Sequence, residues 1–256
     1  MFMAVTAGSQ LRLGDIFGAS FQVLSRNAAA FGVLALLFSV PWELYWDYAI
    51  YFADDDFADL HPVAEAAQSI ALMVAETALT GLATGVIAYG TFRDLSGEPA
   101  DFLMCVRRGL ALVAPVIAVV LLSSLLIFAG SLAIVIPGLI IYTILWLVVP
   151  VTVIERPGIV ESLRRSSELT KGYRWQIFGI ILILGVTGGV ILGLIEEVIA
   201  PSDDATFANL LPYALVSLAA TTVLTAFEAV ATTVTYYKLR AIKEGVGAFE
   251  TARIFD

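Results

Sequence analysis

From Gly109 to Ile154 the chain runs for 46 residues without one charged side chain. As a single helix this run would extend about 69 Å at 1.5 Å per residue. That is more than twice the ~30 Å hydrocarbon core of a bilayer. The run therefore has to fold back on itself inside a membrane, and Pro137-Gly138 is the turn its sequence offers. Composition agrees: 59% of residues are hydrophobic and 14% charged, with a mean hydropathy of +0.90. Soluble domains carry roughly 25% charged residues. The expectation is an all-α, multi-pass membrane protein. One cysteine, Cys105, excludes an internal disulfide and a Cys-rich metal site. The N-terminus lacks the basic start and apolar core of a cleavable signal.

Six apolar segments reach spanning length, at about residues 28–51, 66–92, 110–136, 139–154, 175–195 and 210–237. They form a single membrane domain over residues 1–256. With six spans, all 14 lysines and arginines fall on the side of the N-terminus. The opposite connections hold acids instead, including Asp54, Asp55, Asp56 and Asp59 beside the only histidine, His61. The positive-inside rule places both termini in the cytoplasm. The acidic connection reads as a solvated surface or as an oxygen-rich cation site.

Between two apolar runs lies "VESLRRSSELTKGYRW", Val160–Trp175. At 100° per residue, Glu161, Arg164, Arg165, Glu168 and Lys171 share one arc, which predicts an amphipathic helix over about 158–173. Glu161 stands four residues before Arg165, the favourable order for an ion pair. Similar short helices are expected at 14–27 and 99–109, each ahead of a transmembrane hairpin. The predicted architecture is three pseudo-repeats of surface helix plus hairpin. Arg26, Arg107, Arg108, Arg164, Arg165, Lys171 and Arg174 stand at the ends or on the polar faces of these helices, where they would meet lipid headgroups.

The stretch "VVPVTVIERPGIVESLRRSSELTKGYRWQIFGIILIL", Val148–Leu184, resembles the signature of the bacterial YciC-like proteins and of the related glycerophosphoryl diester phosphodiesterase membrane domain. The matching pattern is an apolar run ending in Pro-x-x-x-x-Glu, an amphipathic segment ending in Leu-Thr-Lys-Gly, and a following span. The opening "LRLGDIFGASFQVLSRNAAAFGVLAL" is similar to the start of the same proteins. The resemblance implies a six-span protein of the bacterial inner membrane and assigns no activity to such a stand-alone domain.

No cluster of catalytic side chains, nucleotide-binding loop or cofactor motif accompanies these spans. The expectation is a non-enzymatic protein without cofactor and without nucleic acid as a partner. Two acids sit inside spans, Glu76 in "LMVAETALTG" and Glu228 in "LTAFEAVATT", with no membrane lysine or arginine to pair with. A charge at that depth costs at least ~2.5–3.5 kcal/mol. They are either a proton or substrate relay between spans two and six, or neutral packing residues hydrogen-bonded to hydroxyls such as Thr77, Thr80, Thr225 or Thr232. Gly81 and Gly85, and Gly185, Gly189 and Gly193, repeat at intervals of four. Such spacing lets helices approach closely, within the bundle or against a partner, and the bundle is the expected place. Three functions follow as expectations: a lipid-interacting protein of membrane or envelope organisation, an accessory subunit of a larger membrane complex, or a proton-coupled transporter using Glu76 and Glu228.

Overall fold

The structure is a computed structural model that describes residues 11–51, 62–98, 102–132, 134–200 and 207–245. The acidic connection 54–61 lies outside these residues. Among the described residues ten helices follow in order: α1 (Leu13–Arg26), α2 (Ala28–Tyr51), α3 (Pro62–Leu95), α4 (Phe102–Ala111), α5 (Val113–Ser131), α6 (Val135–Leu145), α7 (Val148–Ile154), α8 (Ile159–Thr170), α9 (Arg174–Ile199) and α10 (Phe207–Glu244). Six stretches of the described residues are long and apolar enough to cross a membrane, and the fourth, Val135–Ile154, is α6 and α7 together. The short helices α1, α4 and α8 each precede a pair of these stretches.

Two expectations about the long uncharged run need correction. The reversal falls between Ser131 and Val135, not at Pro137-Gly138. Pro137 sits in the first turn of α6, where a helix needs no N–H donor. Gly138 lets α6 approach α5 closely, because a Cβ there would lie 3.1 Å from the carbonyl oxygen of Ile127. The fourth span is also not continuous. It breaks at Trp146 and Leu147, just ahead of Pro150. Pro150 has no N–H, so the Trp146 carbonyl loses its i+4 donor. Helix α7 restarts from the Leu147 carbonyl, which accepts the Val151 N–H at 3.1 Å.

The core gathers at one end of the bundle. Ile16 and Val23 of α1, Phe31 and Leu34 of α2, Ile87 of α3, Leu147 and Val151 around the break, Leu169 of α8, Ile177 and Ile180 of α9, and Tyr236 and Leu239 of α10 join in one apolar cluster. Toward the other end the spans open: residues 66–71 of α3 and most residues of α9 beyond Ile181 are exposed. In a bilayer such apolar exposure faces lipid chains rather than water.

Ion pairs mark the packed end. Arg26 meets Asp94 at 2.5 Å, Lys238 meets Asp15 at 3.8 Å, and Arg165 pairs with Glu244. These contacts draw the ends of α1, α3, α8 and α10 together, so the cation-bearing segments share one end of the bundle.

Helix α8 does not lie free on a surface. Its buried face is Ser162, Ser166, Leu169 and Thr170, and it rests on the broken fourth span. Ser166 Oγ donates to the carbonyl of Ile144 at 2.8 Å, and Thr170 Oγ1 reaches the same oxygen at 3.4 Å. The hydroxyls thus supply donors beside the break. Val160 lies off this seat and is 73% exposed. Small polar residues suit this seat because they bring backbones close and leave no carbonyl bare.

Candidate functional site: an acid-lined cavity beside a broken span

Helices α3 and α10 run through the bundle as its two longest rods, 34 and 38 residues. At 1.5 Å per residue, Glu76 stands about 21 Å from the start of α3 and Glu228 about 24 Å from the end of α10. Both are mid-helix. The fold brings them to a single open-sided cavity of about 370 Å³. Its wall is completed by hydroxyls of α3, α5 and α10 (Thr80, Thr84, Ser123, Ser124, Thr232), by Tyr142, and by Trp146 at the break. Lysine and arginine are absent from the lining.

Neither carboxylate has a hydrogen-bond or ion-pair partner among the described residues. The hydroxyls expected to satisfy them turn elsewhere: Thr77 Oγ1 donates to the Met73 carbonyl at 2.6 Å and Thr232 Oγ1 to the backbone carbonyl of Glu228 at 2.8 Å. These i−4 bonds compete directly with a bond to a neighbouring acid. Both acids are exposed to the cavity, and so is Thr80 beside Glu76. A helix-packing acid would be hydrogen-bonded; these two are not, Glu228 deep among the helices and Glu76 at the open side of the cavity.

The break lies on the cavity wall. Leu145, Trp146, Val148 and Val149 border it from both sides of the interruption. Irregular backbone at membrane depth is tolerated where protein buries it or where it lines a cavity, and here both conditions hold. Sequence reasoning missed Trp146, Tyr142 and the break. The available signal is Pro150 within an apolar span, which the Pro-x-x-x-x-Glu pattern absorbs without marking an interruption.

From Glu228 a strip of polar side chains descends α10 at every fourth residue: Thr232, Tyr236, Arg240 and Glu244. Such spacing keeps them on one face. Tyr236 is fully buried and donates to Glu155 Oε1 at 2.8 Å. Glu155, at the end of α7, also receives Arg165 Nε at 2.9 Å and Nη2 at 3.3 Å. Arg240 donates to the Tyr236 oxygen at 3.1 Å and to Glu244 at 2.9 Å. Lys243 closes the C-terminus of α8 by donating to the Lys171 carbonyl at 2.8 Å and to that of Glu168. The chain turn that delivers Glu155 to this network uses Arg156 at φ 54° and Gly158 at φ 102°. The second belongs to glycine's natural range.

The interfacial cations divide. Arg165 serves the network, while Glu161 pairs with Arg164 at 2.6 Å rather than with Arg165. Arg26 holds Asp94, which also accepts from Asn27 Nδ2 at 3.1 Å. Arg108 lies 5.5 Å from the ring centre of Tyr89, within cation–π reach. Arg107, Lys171 and Arg174 are exposed and carry no ion pair among the described residues.

The glycines divide too. A Cβ on Gly81 would come 2.7 Å from Val120 Cγ2, and one on Gly85 3.3 Å from Val153 Cγ2, so this pair seats α3 on α5 and α7. A Cβ on Gly185, Gly189 or Gly193 would meet nothing within 4 Å. The expectation that they pack within the bundle is overturned: that face of α9 points outward.

Residues 100–239 match the domain of unknown function DUF7847. The chain belongs to this family. The matched region holds α4 to most of α10, including the broken span, its α8 support and Glu228, while Glu76 lies before it. No curated protein and no solved structure matches the chain.

Proposed function

We propose that this DUF7847 protein is a non-enzymatic membrane transporter whose coupling site is the cavity shared by Glu76 and Glu228, with protons carried on these acids. The observation that carries the proposal is that two unpartnered carboxylates on different spans face one cavity beside a break in a third. Discontinuous spans at a mid-membrane site are a recurring feature of secondary transporters, and an intramembrane acid facing a cavity is a relay candidate by default. The α10 strip from Thr232 to Glu244 supplies polar groups between the cavity and the cation-rich end. The positive-inside rule makes that end cytoplasmic. The likeness of Val148–Leu184 to the YciC-like proteins favours the bacterial inner membrane as its place. We read the chain as three units, each a short helix followed by a hairpin: α1 to α3, α4 to α7, and α8 to α10.

The test is proton movement in proteoliposomes holding an internal pH-sensitive dye, under an imposed pH gradient with the membrane potential clamped. Glu76- and Glu228-dependent acidification above that of empty vesicles is expected, lost in Glu76→Gln and Glu228→Gln. Acidification equal to empty vesicles, or unchanged in both variants, overturns the proposal.

A second role has its own support. Arg107, Lys171 and Arg174 are exposed and unpaired among the described residues, which suits contact with anionic headgroups at ~1 kcal/mol per cation. This would be lipid association around the transporter, in place of the wider lipid role expected for all seven cations. The outward glycine face of α9 is where an accessory-subunit role would have to act.

A further inference from the structure

The cavity's chemistry narrows what could occupy it. A proton or a bare monovalent ion needs far less than about 370 Å³; a water molecule occupies ~30 Å³ of liquid. The volume is that of a small-molecule site, in the ~300–1,000 Å³ class. Two acids with no basic side chain in the wall select positive charge. A dehydrated divalent ion asks for six or more oxygens in a tight shell, and among the described residues no three His, Cys, Asp or Glu side chains converge to hold one. The remaining wall is largely apolar (Val120, Ile127, Leu145, Val148, Val149) with two aromatic rings, Tyr142 and Trp146. Aromatic faces attract ammonium groups within about 6 Å of the ring centre, more strongly when water is excluded. Acid, ring and aliphatic wall together describe a complement to a cation with an apolar body.

We propose that the cavity binds a hydrophobic organic cation, an amine or quaternary ammonium compound, with its charge facing Glu76 and Glu228 and its apolar body against Tyr142, Trp146 and the aliphatic wall. This deepens the transport reading and rests on it. The exposed Glu76 side of the cavity gives such a molecule a way in, and its apolar body suits the lipid-facing surroundings. Protons and the cation would compete for the same carboxylates, so bound cation should hinder proton loading of Glu76 and Glu228.

Full-length protein in detergent would be titrated with benzyltrimethylammonium by calorimetry, with benzenesulfonate and uncharged neopentylbenzene as controls. Saturable binding of the ammonium compound is expected and none of the sulfonate. Glu228→Gln and Glu76→Gln should each weaken it at least tenfold. Tyr142→Leu, which leaves both acids in place, should weaken it about threefold to tenfold. Melting temperatures of all variants would be recorded, and Tyr142→Leu keeps the test alive if a Gln variant fails to fold. Non-saturable uptake, or affinity unchanged in every folded variant, means partition into the micelle and overturns the assignment. Equal binding of the neutral compound overturns the role of charge. Failure of ammonium binding alongside intact Glu228-dependent proton movement sinks the ligand class alone. Failure of both sinks the transport reading as well.

Discussion

Two sets of charged residues in this bundle have opposite fates. At the end of α7, Glu155 is saturated: Arg165 and Tyr236 donate to it, and Glu244 takes the second contacts of Arg165 and of Arg240. Some 12 Å up α10, at 1.5 Å per residue over eight residues, Glu228 shares a cavity with Glu76 and has no partner among the described residues. Partnering on this scale makes a charge part of the scaffold, because its removal leaves other charges stranded. Lack of a partner at membrane depth makes a charge costly to keep, and its upkeep has to be explained by something outside the fold. Stability should therefore depend on the lower acid, and function on the upper pair.

The largest effect should come from Glu155→Leu. It takes the Glu155 acceptor away from Arg165 and leaves the buried Tyr236 hydroxyl without the carboxylate it donates to. A loss of about 2 kcal/mol is expected, within the range for losing hydrogen bonds to a charged group, because this pair is only partly buried, read as a fall in thermal midpoint and in monodisperse yield. A variant as stable as wild type would erase the contrast between the two acid sites.

Next is Gly81→Ala, which pushes a methyl to within 2.7 Å of Val120. Overpacking of this kind costs about 1–3 kcal/mol. Gly189→Ala is its control and should be neutral, since its methyl would meet nothing within 4 Å. Equal losses in the two would place α9's glycines at an interface after all, one made with another molecule.

A smaller loss is expected from Ser166→Ala, about 1 kcal/mol for one hydrogen bond. The informative companion is Ser166→Ala with Thr170→Val. If both hydroxyls brace the break, the pair should raise hydrogen exchange around 144–151 more than the sum of the single changes. Additive or absent change would show that the break stands without α8.

A smaller stability effect than these losses belongs to Glu228→Gln, within about 0.5 kcal/mol of wild type, even though proton movement should be lost and cation binding weakened at least tenfold. A thermal shift as large as that of Glu155→Leu would return Glu228 to the scaffold and contradict the cavity's role.

How much of this is legible in the sequence depends on the range of the interaction. Spans and short helices are readable because their signal is local: 20-residue apolarity and a 100° period. Glu76 and Glu228 stand out because an acid among apolar residues violates a solvation cost that needs no structure to evaluate. Their meeting at one cavity needs the packing of α3 on α10. Arg165 reads as a headgroup ligand in the sequence because its partners lie 10 and 79 residues away, and Glu161 four residues before it offers a local partner. The break escapes for a different reason. Pro150 is visible, but its helix continues on both sides, so hydropathy records one span where the backbone has two pieces.

The unequal lengths of the spans have a consequence for the host bilayer. At 1.5 Å per residue, α10 is about 57 Å long and α3 about 51 Å, against about 30 Å for Val135–Ile154. The long rods can answer a change in membrane thickness by tilting or by sliding their ends further into the headgroups, each at a modest cost. The fourth span has no spare length and carries its interruption at Trp146 and Leu147. Thickness stress on this bundle would therefore concentrate where the cavity wall is already discontinuous, making lipid chain length a variable that acts on the site without touching it.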